Sequence, residues 1–183
     1  MLIAGSVISP QVAQALNIAR HAVFFAVLAT AAYTDIAKSK VYNWLTLPAI
    51  FIGLALPFIA YGLSDALLDV FLGALVGGGI FWFFFLFDAV GGGDVKLMAA
   101  VGALMGLDFT FSALLVIAVV GALMAIVFLL LRKQLGEGLK GSLKLFFLFK
   151  KPGKKGAESQ TIPYGVAIAA GSIITWFLMM IPR

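Results

Sequence analysis

From Phe109 to Leu131 the chain carries no charged side chain, and several further stretches are nearly as apolar. Such runs limit the fold more than any other feature. A hydrocarbon layer offers backbone N–H and C=O groups no partner, so it admits the backbone only as helices or closed barrels. A crossing helix needs about 20 mostly apolar residues. Because 63% of the residues are hydrophobic and only 11% are charged, the chain reads as an integral membrane protein: all-α, a polytopic helix bundle with about six transmembrane helices. There is no cysteine, which excludes a disulfide framework, Cys-ligated zinc and a thiol nucleophile within these residues.

Six segments qualify by composition: about Ile18 to Tyr33, Trp44 to Tyr61, Ala66 to Phe87, Val95 to Leu107, Phe109 to Leu131 and Ile162 to Ile181. Pro10 separates the opening residues from the first segment, and Pro48 and Pro57 are expected to kink the second. Ser64 reads as the N-cap of the third, with Asp65 and Asp69 in its first turns, where the helix dipole favours anions. The fourth is only about 20 Å long as a helix, too short to cross alone. Gly73 and Gly77, and again Gly102 and Gly106, have the spacing that lets helices pack closely. No second domain is expected, so residues 1–183 form one membrane domain. The N-terminus has no removable signal-peptide pattern, and the chain is taken as mature from near residue 1.

Of the 13 Lys and Arg residues, all but Arg20 and Arg183 fall on one side if the loop after the first segment is cytoplasmic. The positive-inside rule then puts both termini outside, in the inner (cytoplasmic) membrane. The net charge of +5 is thus a topology and lipid-headgroup signal, with no nucleic acid as partner. Between Arg132 and Gln160, Leu135, Leu139 and Leu143 recur at helical spacing opposite Lys140 and Lys144. That pattern predicts a basic amphipathic helix on the inner leaflet, followed by a solvated linker, "KKPGKKGAESQ".

In this topology the loops after the first and third helices emerge on one face and carry Asp35 and Asp94. An ionisable residue at a membrane boundary is costly and marks a functional site by default. Two carboxylates in one low-dielectric pocket share a proton, so one acts as general base on water and the other as general acid. This is the chemistry of aspartic peptide hydrolysis and calls for no metal or cofactor. Gly91, Gly92 and Gly93 strip side chains from the approach to Asp94, allowing a sharp turn and an incoming extended backbone. A helix starting below the membrane surface would recess Asp94. By helix dipoles alone, Asp94 at the start of a helix is the ionised base and Asp35 at the end of one is the protonated acid.

Three segments resemble one family in order along the chain. "GGGDVKLMAAVGAL" is similar to the Gly-x-Gly-Asp segment of the type IV prepilin peptidases, membrane aspartic proteases that remove leader peptides from pilin-like precursors. "YTDIAKSKVYNWLTL" resembles the family's first catalytic segment, and "IPYGVAIAAG" its last helix start. The resemblance implies that Asp35 and Asp94 are the catalytic pair, and that Asn43, Lys96 and the Pro163-Tyr164-Gly165 turn support them beside Gly91 and Gly93. It implies a prepilin or pseudopilin partner with a single apolar helix, and an active site near the cytoplasmic face. Tyr42 stands where the family has proline. A short chain without cysteines is similar to the compact members serving tight-adherence (Flp) pili, with archaeal preflagellin peptidases as neighbours and no N-methyltransferase activity expected.

Other readings compete. A small proton- or ion-coupled transporter would use the same acids as a relay, and a structural membrane partner is a third class; no internal repeat favours a transporter. Asp88 also follows the third helix but lacks surrounding backbone access. His21 reads as an interfacial or packed residue, and the aromatics from Phe81 to Phe87 as lipid-facing or core.

Overall fold

The computed structural model describes residues 8–63, 65–131 and 164–181. The expected N-cap Ser64, the amphipathic helix within 132–160, and Pro163 lie outside the described residues. The described chain forms six helices: α1 (Pro10–Lys38), α2 (Asn43–Tyr61), α3 (Asp65–Leu86), α4 (Gly92–Met105), α5 (Leu107–Leu131) and α6 (Tyr164–Met180). Four of them, α1, α2, α3 and α5, are long and apolar enough to cross a membrane, and α6 is a shorter apolar helix of 17 residues.

The ends differ from the sequence expectation for local reasons. Pro10 starts α1, so the helix takes in the residues before Ile18 and the proline marks its beginning. Its fixed φ suits a first helical position, where the missing N–H has no partner to lose. Ser9 accepts the first bond, from Ala13 N at 3.0 Å. α1 then runs past Tyr33 to Lys38, carrying Asp35 inside its last turn. α2 is continuous through both prolines. Asp65 lies in the first turn of α3, but Asp69 works elsewhere: its Oδ1 accepts the N–H of Leu107 at 3.0 Å and caps α5.

The five longer helices form a closed ring in the order α1, α2, α3, α5, α6, and α4 packs inside it against all five. This explains why the short helix is the most buried, with Leu97, Met98, Ala100, Ala103 and Leu104 fully inaccessible. The two Gly-x-x-x-Gly spacings meet each other. Gly73 lies against the backbone of Gly102 and Gly106, and a Cβ on Gly77 would sit 2.8 Å from the Met98 carbonyl, so any side chain there would force α3 and α4 apart. This antiparallel pairing sets a depth. Gly78 faces Val95 and Ala99, so Asp94 lies level with a point on α3 that is short of its end at Leu86 by a little over one turn, about 7 Å.

Candidate active site

Asp35 and Asp94 come from different helices and line one cleft of about 450 Å³. Their relative exposures are only 6% and 8%. Each is fixed by backbone. Asp94 is the third residue of α4, and its Oδ2 accepts the N–H of the capping residue Gly91 at 3.0 Å. Asp35 sits one turn before Ser39, whose N–H donates to the Asp35 carbonyl at 2.8 Å while Ser39 takes the left-handed conformation (φ 48°) that turns the chain out of α1. The Asp35 Oδ2 accepts the N–H of Val166, at the start of α6, at 3.3 Å. The contact requires glycine next door: a Cβ on Gly165 would lie 2.8 Å from that oxygen.

The α6 contact corrects the dipole argument for the two acids. Asp35 does end one helix, but it also faces the N-terminus of another, as Asp94 does, so the helix ends do not separate them. Desolvation acts on Asp94 directly. Burial raises its carboxyl to about 6, against the Gly91 N–H that lowers it, and the Asp35 charge raises it further.

The other predicted residues fall into two groups. Asn43, Gly91, Gly93 and Tyr164 line the cleft. Lys96 and Gly165 brace it from behind: Lys96 Nζ donates to Asn43 Oδ1 at 2.8 Å, tying α4 to the start of α2, and Gly165 backs Asp35. Gly93 is helical rather than specially bent, and its lack of a side chain serves contact: a Cβ there would lie 2.9 Å from the Val41 carbonyl. A Cβ on Gly92 would make only ordinary contact with the Phe85 ring, at 3.7 Å. Asp88, without backbone access by sequence, also lines the cleft. Val41 and Val166 carry no sequence signal for their roles, since both act through main-chain atoms. Among the described residues no three His, Asp or Glu side chains gather as a metal centre would need. His21 packs, with Nδ1 2.8 Å from the Asn17 carbonyl and its ring edge-on to Trp176.

A family model described as the type IV leader peptidase family matches residues 22–129, which contain both acids, Asn43, the three glycines and Lys96. A prepilin leader peptidase/N-methyltransferase of Aeromonas hydrophila is 35% identical over 113 residues, and its counterpart in Aeromonas salmonicida (strain A449) is 34% identical over 113 residues. Each match covers 59% of this chain and 39% of the relative, so the match spans about two fifths of the length of these curated proteins. No solved structure matches. With a family match over more than half its length and the family's acid-bearing segments facing one cleft, this chain belongs to the type IV leader peptidase family.

Proposed function

We propose that the protein is a multi-pass membrane endopeptidase that removes the cytosolic leader from type IV pilin-like precursors, using Asp35 and Asp94 as an aspartic dyad. The observation that supports this most strongly is the pair of buried carboxyls, each held by a backbone N–H, lining one cleft at the end of a recessed helix. One carboxylate takes a proton from water as the water oxygen attacks the scissile carbonyl. The other donates its proton to the carbonyl oxygen, and proton transfer to the amide nitrogen then releases the new amine. The pair shares one proton, so one carboxyl serves as the base while its partner serves as the acid, and the titration belongs to the pair. The side-chain-free edge at Gly91 to Gly93 admits extended substrate backbone.

In this reading all 183 residues form one peptidase domain with Asn43, Lys96, Pro163, Tyr164 and Gly165 in support, and the cleft faces the cytoplasm of the inner membrane. The substrate is a precursor with a single apolar helix, in a tight-adherence (Flp) pilus system. Purified protein in detergent, given a prepilin-like peptide, is expected to release the leader as a discrete fragment by mass spectrometry. An intact peptide, with the protein folded, contradicts the assignment.

A further inference from the structure

The cleft holds a third carboxylate that the dyad does not use. α3 ends at Leu86, and the chain turns with Asp88 N donating to Phe85 O at 3.0 Å and Ala89 N to Phe84 O at 3.1 Å. These bonds put Asp88 in the left-handed region, at φ 56°, which aspartate tolerates better than most residues. Its position at the cleft wall is therefore set by main-chain bonds. Unlike Asp35 and Asp94, the Asp88 side chain is exposed, and among the described residues its carboxylate accepts no hydrogen bond and pairs with no cation. Lys40 enters the same cleft from the loop after α1 without joining it.

We propose that Asp88 is a specificity residue, taking a lysine or arginine side chain of the substrate segment that lies in the cleft. The inference rests on the peptidase reading. An extended chain repeats about every 3.3 Å, and one that runs along Gly91 to Gly93 to reach Asp94 passes the cleft wall that begins three residues earlier at Asp88. A side chain within a few residues of the scissile bond then meets the Asp88 carboxylate. An unpaired anion beside that path lowers the energy of a cation there and disfavours an acid.

The test uses two synthetic prepilin-like peptides, one with a single lysine near the scissile bond and one with glutamine in its place. Wild-type protein in detergent is expected to cleave the lysine peptide with about three- to fivefold higher kcat/KM, the scale of an exposed ion pair. Added salt should shrink that ratio. In Asp88→Asn, which keeps the shape and the tolerance for the left-handed turn, the ratio falls to about one, and in Asp88→Lys it falls below one. A charge-independent turn role leaves the ratio unmoved in both variants, and that result overturns the inference. Equal cleavage of the two peptides by wild-type protein overturns it too, with the peptidase assignment intact. If neither peptide is cut, the peptidase assignment fails and this inference fails with it.

Discussion

At the residue scale, Asp35, Asp94 and the glycines before Asp94 stand out in the sequence because a carboxylate at a membrane boundary is costly, and both acids line one cleft. What the sequence could not show is the reason each glycine is there. Gly93 was expected to take part in a sharp turn; it sits inside α4 and needs space against the Val41 carbonyl instead. The two neighbouring glycines thus separate in a simple experiment. Gly92→Ala is expected to keep cleavage within about twofold, while Gly93→Ala, which must push the loop of Val41 away from α4, lowers kcat/KM by about ten- to a hundredfold. The raised carboxyl of Asp94 makes a second prediction, about stability. A carboxyl raised in the folded state binds its proton more tightly there than in the unfolded chain. Its contribution is therefore present below pH 3.8 and lost as pH climbs through about 6. Thermal unfolding in detergent should show Asp94→Asn gaining on wild type across that window and levelling off above it, with little difference near pH 4. A gap that is constant with pH contradicts the desolvated acid.

At the scale of elements, hydropathy named every described helix, and the errors lie at their ends. The start of α1 was missed because its first turns carry Gln and Asn among apolar residues, and a helix extending beyond the apolar layer has no hydropathy signal there. The start of α5 was missed because its cap, Asp69, comes from α3 at a separation of 38 residues, which no local pattern encodes. The same blindness hid Val166, 131 residues from the carboxylate it serves. One tether between elements is open to a direct test. Lys96 to Asn43 joins the helix bearing Asp94 to the one that follows the Asp35 loop, on the side where Val41 packs against Gly93. Lys96→Met and Asn43→Leu should each lower kcat/KM by about two- to tenfold, and the double variant should be no worse than either, since both remove one bond. Additive losses would show that the two residues act separately.

At the scale of the whole molecule, the class was legible from composition alone, but the arrangement was not. Nothing in the apolar runs orders five helices into a ring or places the sixth, too short to cross, at its centre; that order emerges from glycine faces that meet only in three dimensions. The ring gives the short helix its function in the architecture. Packed on every side, α4 is held so that Asp94 lies a little over one turn short of the end of α3 and lines one cleft with Asp35. The central claim is that these two carboxyls act as one unit, and a cleavage assay on purified wild type, Asp35→Asn, Asp94→Asn and the double variant tests it most directly. Each single change is expected to lower turnover of a prepilin-like peptide by about a thousandfold or more with the protein still folded, and the double change by no more than either single one. Turnover close to wild type in Asp35→Asn or Asp94→Asn would contradict the dyad.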